Sequence, residues 1–440
     1  GTSLKYIISL IAVFSLFISA FSHAALLNIL PESVEAEAWT ILDSQSGQVI
    51  AEHNADVQRA PASLTKMMVA YIALKEIEAG KLDKNEVLTA TSVVKNVMWD
   101  ESQMYLKEGD LITVDQLLAG LIIMSANDAA LTLAEKISGS VPQFVERMNQ
   151  EAKALGMQHS NFQNPAGITM PEHYSTAADL ARLSMAVVNE TPDYLYYSKQ
   201  PSFTYNQHFH RATNRVLQVD PSVDGLKTGF TRAAGYNLAL TANRVTADFE
   251  MPKRRLIVVV LGTKSATKRA EISHKLMNLA YTYTRNEVAI KDQQLLAELP
   301  VIKSTLKMFK VQTKQPQIIT TSLYDQSYSI DLNQFDQAHQ RVMLNTGDGA
   351  LKSIEPLQET QTHINVEMKA SELIAPLASM MPLATIQIYQ NNQLIRTIQI
   401  EDHVEIEEAN PLQKFFSWLQ GLFSFFSDST PGVKLYPLDQ

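Results

Sequence analysis

Ser63 and Lys66 are the first pair of residues with an evident chemical use, since they lie three apart in Ser63-Leu-Thr-Lys66. Residues with this spacing share one face of a helix, so the hydroxyl and the amine can meet. An alcohol needs a neighbouring proton acceptor to act as a nucleophile near neutral pH. Apolar residues follow Lys66, and desolvation would favour its neutral, proton-accepting form. The pair therefore indicates acyl transfer, although an ordinary solvated helix face has the same spacing.

Two further segments carry polar groups suited to the same chemistry. Ser125-Ala-Asn127 offers a hydroxyl that relays a proton and an amide that holds a substrate carbonyl. Lys227-Thr-Gly229 offers groups that bind a carboxylate, and its glycine leaves room for an extended peptide beside a strand. Taken alone, Ser125 and Asn127 are typical of helix caps, and Lys227-Thr-Gly229 is typical of the end of a strand. Only in combination do these segments predict an active site.

The elements that must position these residues follow from apolar periodicity. The predicted strands are 38–43, 48–51, 226–228, 237–242 and 256–261, and the predicted helices are 64–79, 114–123, 129–137, 144–155, 176–188 and 269–283. Ser63 precedes the first helix, Ser125 separates the second from the third, and Lys227 lies on a strand. Strands at both ends with helices between them predict one sheet, built from both ends and covered by helices.

A second pattern begins near residue 297. Residues 385–389 and 394–400 alternate between polar and apolar side chains, and the turn-forming pair Asn391-Asn392 separates them. This arrangement is typical of an antiparallel hairpin. We therefore predict a catalytic domain over 25–296, a small β-rich domain over 297–403, and a tail over 404–440.

The composition excludes several classes of protein. The 440 residues include 37 Lys and Arg against 46 Asp and Glu, a formal net charge of −9, which disfavours a nucleic-acid-binding protein. Cysteine is absent, so the chain has no disulfide framework, thiol nucleophile or thiolate metal site. No metal or other cofactor is expected.

The three segments together form the motif set of class A β-lactamases and penicillin-binding proteins. Their surroundings resemble those of the serine D-alanyl-D-alanine carboxypeptidases, the low-molecular-mass penicillin-binding proteins. The segments that carry the resemblance are 60–67, 148–157, 164–167, 175–180 and 223–229. The resemblance is close over about residues 30–285, and the β-rich remainder is similar in position and texture only.

The resemblance implies an α+β fold, in which helices surround a five-stranded antiparallel sheet and a small all-β domain follows. It also implies catalytic roles for Ser63, Lys66 and Ser125. Ser63 would attack the carbonyl between the two terminal D-alanines of a peptidoglycan pentapeptide. Lys66 would accept the Ser63 proton, and Ser125 would help pass it to the departing D-alanine.

The same resemblance implies the substrate-binding residues. Asn127 would hold the substrate amide, and Lys227 and Thr228 would bind the terminal carboxylate beside Gly229. The backbone N–H groups of Ser63 and Phe230 would form an oxyanion hole. β-Lactams would mimic the substrate and deacylate slowly. Lys264 lies after the predicted strand 256–261 and is a candidate for a further carboxylate-binding cation.

Three other functions remain open at this point. A D,D-endopeptidase would cut cross-links with the same residues, and a penicillin-binding scaffold would organise the envelope without turnover. A β-lactamase is disfavoured because no general-base motif with that enzyme's spacing appears. Glu146 lies one residue short of the required distance from Asn149, and Glu172 has no Asn four residues on.

The N-terminus indicates export. Residues 4–24 carry one cation, an apolar run and a small-x-small ending, which predicts a signal peptide over 1–24 with cleavage after Ala24. An uncleaved signal anchor is the alternative. The expected location is the periplasmic face of the cytoplasmic (inner) membrane, as a peripheral protein.

Residues 411–426 predict an amphipathic helix. Its polar stripe comprises Gln413, Ser417, Gln420 and Ser424, and its apolar face comprises Phe415, Trp418, Leu419, Leu422, Phe423 and Phe426. At about 24 Å such a helix is too short to span a bilayer. It resembles the C-terminal membrane-surface anchor of the carboxypeptidases. The alternative is a helix packed back on the β-rich domain.

Overall fold

The computed structural model of the protein describes residues 25–357, 361–424 and 432–438. In this part of the chain, the larger of two compact units comprises residues 25–294 and 313–357, and the smaller comprises 295–312, 361–424 and 432–438. The predicted signal peptide lies outside the described residues.

The helices and strands are numbered in chain order. The helices are α1 (Lys66–Glu78), α2 (Val114–Ile123), α3 (Asn127–Ser138), α4 (Val141–Ala154), α5 (Ala177–Glu190), α6 (Tyr194–Ser198), α7 (Ala266–Tyr283) and α8 (Pro411–Ser424). The strands up to α7 are β1 (Ala38–Asp43), β2 (Val49–His53), β3 (Val87–Thr89), β4 (Leu111–Thr113), β5 (Ser202–Tyr205), β6 (His208–Arg211), β7 (Val223–Thr231), β8 (Gly235–Val245) and β9 (Lys253–Thr263). The remaining strands are β10 (Thr284–Ile290), β11 (Leu295–Ile302), β12 (Met308–Gln312), β13 (Gln317–Ser322), β14 (Phe335–Asp336), β15 (Arg341–Asn345), β16 (Leu351–Ile354), β17 (Thr362–Met368), β18 (Leu373–Ile374), β19 (Leu377–Gln390), β20 (Gln393–Ile406) and β21 (Lys434–Leu435).

A five-stranded antiparallel sheet lies at the centre of the larger unit, with the strand order β2-β1-β9-β8-β7. The sheet separates two apolar cores because side chains alternate along each strand. On β9, Ile257, Val259 and Leu261 enter one core, whereas Leu256, Val258 and Val260 enter the other. The sheet predicted from both ends of this region is therefore confirmed.

The first core is built around α1, whose first nine residues are all buried. The predicted helix over 64–79 begins differently from our expectation. Residues Ala62–Thr65 form a 3-10 turn, and the α-helix starts only at Lys66. Ala62 has φ of +52°, a conformation that an α-helix cannot contain, so the chain enters the helix through this tighter turn.

Residues 313–357 belong to the larger unit, which differs from the β-rich domain predicted over 297–403. β13 of this segment pairs with β10, the strand that directly follows α7 in the chain. The Tyr283 hydroxyl accepts a hydrogen bond from the Val342 backbone N–H at 2.8 Å and donates one to the Ile354 carbonyl at 2.6 Å. Buried side chains of this segment, including Ile330 and Phe335, complete the second core. The change of pattern near residue 297 predicted β structure here, but it carried no information about the unit that these strands complete.

The smaller unit contains the predicted hairpin. β19 and β20 pair antiparallel across Asn391 and Asn392, both of which have positive φ, as the predicted turn requires. β17 pairs with β19, and β11 pairs with β12, β18 and β21. Helix α8 coincides with most of the predicted amphipathic helix, whose last two residues, 425 and 426, lie outside the described chain. Among the described helices, none has the length and apolarity needed to cross a membrane.

Candidate active site

Ser63 lies in a tight turn that neighbouring backbone holds in place. The positive φ of Ala62 is a strained conformation for a residue with a side chain. The Asn237 side chain donates hydrogen bonds to the Ala60 and Pro61 carbonyls, each at 3.2 Å. Gly167 has φ of +86°, and a Cβ there would lie 1.9 Å from the Ala62 carbonyl oxygen. The loop that contains Gly167 therefore packs directly against the turn that presents Ser63.

Lys66 lies between two serine hydroxyls. Its Nζ is 2.9 Å from Ser63 Oγ and 3.1 Å from Ser125 Oγ. The lysine is only 1% exposed. Burial lowers its pKa to about 7, although Glu101 and Asp128 act in the opposite direction. A substantial fraction of neutral amine is therefore present near neutral pH, in contact with both hydroxyls.

Ser125 and Asn127 lie at the junction between α2 and α3. Ser125, whose hydroxyl contacts Lys66, has φ of +56° and so shares with Ala62 a strained backbone conformation. Asn127 begins α3, its backbone N–H donates to the Ser102 carbonyl at 2.7 Å, and its side chain donates to Glu101 Oε1 at 2.9 Å. Ala126 is the N-cap residue of α3, without a side-chain cap. Helix capping therefore does not explain the Ser-x-Asn segment.

Lys227, Thr228, Gly229 and Phe230 lie along β7, the strand at one edge of the five-stranded sheet. Lys227 is buried, and its Nζ donates to the Thr228 carbonyl at 2.9 Å. A Cβ at Gly229 would lie 2.9 Å from the Ser63 backbone nitrogen, so glycine is needed for this close approach. The Phe230 ring is half exposed and stacks on Tyr236, with the ring centroids 4.2 Å apart.

Three buried basic side chains, those of Lys66, Lys227 and Arg269, lie near the Ser63 turn. Burial lowers the pKa of Lys227 well below its usual value, and the positive charges of Lys66 and Arg269 lower it further. Arg269, at the start of α7, donates to the Gly229 carbonyl at 3.3 Å, and burial lowers its pKa to about 10. Such a cluster is stabilised by an anion, so the end of β7 is suited to a carboxylate.

Sequence reasoning did not identify Arg269. It named Lys264 as a candidate for the additional cation, but that side chain is exposed, whereas Arg269 is buried and donates to a carbonyl of β7. Glu101 was also missed, although it contacts Asn127. No local pattern marks either residue, because each acts through a partner distant in sequence.

The structure brings the predicted site residues into one region. Lys66 contacts Ser63 and Ser125 directly, and Gly229 places β7 against the Ser63 turn. The arrangement places the buried Lys66 amine between two hydroxyls and puts further basic side chains near the Ser63 turn. Within the described residues, no group of three or more His, Cys, Asp or Glu side chains could hold a metal ion.

Comparison with known proteins links this geometry to one family. A sequence model of the family described as D-alanyl-D-alanine carboxypeptidase matches residues 25–265. The D-alanyl-D-alanine carboxypeptidase DacC of Escherichia coli (strain K12) is 38% identical over 264 residues, which cover 59% of this chain and 64% of that protein. DacA of the same strain is 35% identical over 301 residues, which cover 66% of this chain and 72% of that protein. The chain thus spans less than two thirds of the length of DacC.

A solved structure is similar over most of the chain. Penicillin binding protein 5 of Haemophilus influenzae matches with a TM-score of 0.71 and 26% sequence identity, covering 86% of this chain and 100% of that protein. This similarity and the antiparallel five-stranded sheet confirm the predicted α+β fold with a further β-rich part.

Proposed function

Because the chain belongs to the D-alanyl-D-alanine carboxypeptidase family, we propose that it is a serine D,D-carboxypeptidase that removes the terminal D-alanine from peptidoglycan pentapeptides. The observation that carries the proposal is the position of the buried Lys66 amine, within hydrogen-bond distance of both Ser63 and Ser125. A nucleophile, an acceptor for its proton and a relay to the leaving group are the parts that acyl transfer requires.

Acylation begins when Ser63 Oγ attacks the carbonyl carbon between the two D-alanines. The Ser63 proton passes to the neutral amine of Lys66. The tetrahedral intermediate carries its negative charge on the former carbonyl oxygen, which the backbone N–H groups of Ser63 and Phe230 stabilise. The C–N bond then breaks, and the proton moves from Lys66 through Ser125 to the departing D-alanine amine. Water hydrolyses the resulting ester and regenerates Ser63.

Binding of the substrate uses the edge of the sheet. An extended peptide beside β7 takes the position of a further strand, and Gly229 leaves room for it next to the nucleophile. Its terminal carboxylate lies at Lys227 and Thr228, where the nearby Arg269 adds positive charge. Asn127 holds the amide that precedes the scissile bond. β-Lactams, with an acylating carbonyl and an anionic group, occupy the same positions and form a stable ester with Ser63.

The test is incubation of the purified protein with a pentapeptide that ends in D-alanyl-D-alanine, with a cross-linked muropeptide and with penicillin. Release of free D-alanine and a covalent penicillin adduct are expected, and Ser63→Ala abolishes both while its unfolding temperature stays close to that of the parent. Preferred cleavage of the cross-link indicates an endopeptidase, and rapid drug hydrolysis indicates a β-lactamase. Absence of turnover on every substrate contradicts the proposal and favours a scaffold.

The location we propose is the periplasmic face of the cytoplasmic membrane, with α8 at the lipid surface. Large apolar side chains of α8 are 48% to 78% exposed, among them Phe415, Trp418 and Phe423. On the polar stripe, Gln420 accepts one exposed hydrogen bond, from Lys307 at 2.6 Å. This exposure disfavours a helix packed back on the β-rich part. It supports burial of the apolar face in a lipid interface.

A further inference from the structure

Glu101 lies beside the proposed proton-transfer groups, in the loop between Val97 and Gln103. One carboxylate oxygen accepts a hydrogen bond from the Asn127 side chain at 2.9 Å, and the other accepts one from the Met98 backbone N–H. The Glu101 backbone N–H donates in turn to the Met98 carbonyl at 3.1 Å. Gln103 donates to the same carbonyl at 3.0 Å. The loop therefore holds the carboxylate in one place, against Asn127.

This contact fixes the orientation of the Asn127 amide. An ionised carboxylate only accepts hydrogen bonds, so the NH₂ group of Asn127 must face Glu101. The backbone of Asn127 is held independently by the Ser102 carbonyl. With both its backbone and its side chain fixed, Asn127 presents one remaining N–H and its oxygen to a substrate in a defined direction. This preorganisation lowers the entropy lost when the substrate binds.

Glu101 also contributes to the charge around Lys66. Negative charge faces Lys66 from Glu101 in this loop and from Asp128 on α3, and both carboxylates raise its pKa against the effect of burial. Positive charge faces it from Lys227 on β7, and Lys227 is itself close to Arg269 on α7 and to His210 on β6. Glu101 therefore opposes the repulsion that these basic side chains exert on a protonated Lys66.

We propose that Glu101 is a positioning residue of this site, whose carboxylate orients the Asn127 amide and stabilises the Lys66 ammonium that forms when Ser63 gives up its proton. The inference rests on the proposed acyl-transfer function. Glu101 itself neither gains nor loses a proton in the reaction. It acts only through Asn127 and Lys66.

Glu101→Gln separates the two effects, because glutamine keeps an acceptor for Asn127 and removes the charge. The second-order rate constant of penicillin acylation is measured from pH 5 to 9. Loss of the charge lowers the pKa of Lys66, so the acidic limb of the profile moves to lower pH, by on the order of half a unit to one unit. The plateau rate falls severalfold, because the amine is then a weaker base.

Two further variants of Glu101 test the orientation of Asn127. Glu101→Asp keeps the charge and shortens the side chain, so the acidic limb stays near that of the parent while KM for the pentapeptide rises. Glu101→Ala both moves the acidic limb of the pH profile to lower pH and raises KM for the pentapeptide. The matched control is Glu108→Gln, which removes the same charge from an exposed ion pair with Lys95 and leaves both readouts unchanged.

The outcomes distinguish the inference from the proposed function. If the parent cleaves the pentapeptide, but Glu101→Gln has the parental pH profile and Glu101→Ala the parental KM, the inference is wrong and the function stands. Variants that lower only the unfolding temperature show a purely structural loop residue and also overturn the inference. If penicillin acylates the parent and the acidic limb shifts as expected in Glu101→Gln, but the parent releases no D-alanine, the inference stands and only the proposed function is wrong. A parent that forms no adduct overturns both.

Discussion

Burial controls the protonation of a single amine, that of Lys66, which we propose as the proton acceptor of the site. Lys66 has a pKa of about 7 because burial disfavours its charged form. Below that pH the amine is protonated and cannot accept the Ser63 proton, and above it the amine is neutral. We therefore expect the rate constant of penicillin acylation to fall about tenfold for each pH unit below 7 and to level off above 7. Stopped-flow or gel-based adduct formation from pH 5 to 9 measures this profile.

Lys66→Arg is the decisive variant for this interpretation. Arginine keeps the positive charge but stays protonated throughout this pH range, so acylation should fall by several orders of magnitude, as in Lys66→Ala. An Arg variant that acylates at a near-parental rate would show that Lys66 serves only as a fixed charge.

Lys227 on β7 is predicted to bind the terminal carboxylate of the substrate. Lys227→Ala should reduce kcat/KM for a free-acid pentapeptide by about 100-fold or more, since a charge-assisted contact to a buried anion is worth about 3 kcal/mol. An amide-capped peptide should be cleaved poorly by the parent and should lose little more in the variant. Lys264→Ala is the matched control, because that lysine is exposed and should be dispensable. Equal losses for acid and amide would instead place Lys227 in proton transfer.

Residues differ in how readily sequence reveals them. The contact of Ser63 with Lys66 was predictable from their spacing, whereas the proximity of Ser125 and Asn127 to this pair was implied only by the resemblance to a family motif set. Arg269 and Glu101 were not predictable, because their partners are the carbonyl of Gly229 and the amide of Asn127, distant in the chain. An isolated Arg on a helix or Glu in a loop is otherwise indistinguishable from a solvated surface charge.

At the scale of elements, the turn that holds Ser63 depends on the loop packed behind it. A Cβ at Gly167 would collide with the Ala62 carbonyl, and the positive φ of Gly167 adds strain. We expect Gly167→Ala to displace the Ser63 turn and to slow penicillin acylation at least tenfold. The measurement is the acylation rate together with the urea-induced unfolding of the same protein.

Gly47→Ala is the matched control for this element. Gly47 also has positive φ, at +74°, but no atom lies within 4 Å of the Cβ position. Its substitution should lower the free energy of unfolding by about 1–2 kcal/mol and leave acylation unchanged. If Gly167→Ala affects stability to the same extent and acylates at the parental rate, the loop does not position the nucleophile.

Strong apolar periodicity explains why most elements were predictable. α2 has the predicted bounds, and its start is marked by a reciprocal capping box between Thr113 and Gln116. The role of residues 313–357 was not predictable, because β13 pairs with β10 and the segment fills a core made mostly by α7 and the central sheet. Local alternation identifies a strand but not the partner against which it packs.

At the scale of the whole molecule, α8 presents more apolar surface than a helix in water tolerates. The helix begins with Pro411 after Asn410, whose side chain accepts from the Gln413 backbone N–H at 2.8 Å, so it has its own start signal. Its cation Lys414 is paired with Glu408, and the preceding chain is acidic. Attraction to anionic lipid should therefore be weak, and the apolar face should dominate binding.

We expect the protein from Ala25 onward to bind phospholipid vesicles and to resist washing with 1 M salt, which screens charge but does not weaken apolar burial. Trp418→Glu with Phe415→Glu should release it into solution while pentapeptide cleavage continues, because α8 belongs to the smaller unit, whereas Ser63 and Lys66 belong to the larger one. Gln413→Glu is the matched control, since it adds a negative charge on the polar stripe and keeps an acceptor for the Asn410 N–H. Flotation of vesicles with each protein gives the bound fraction. Removal of the parent by salt, or retention of the double variant on vesicles, would contradict an apolar anchor, and unchanged binding with a lower unfolding temperature would indicate a helix that packs on protein.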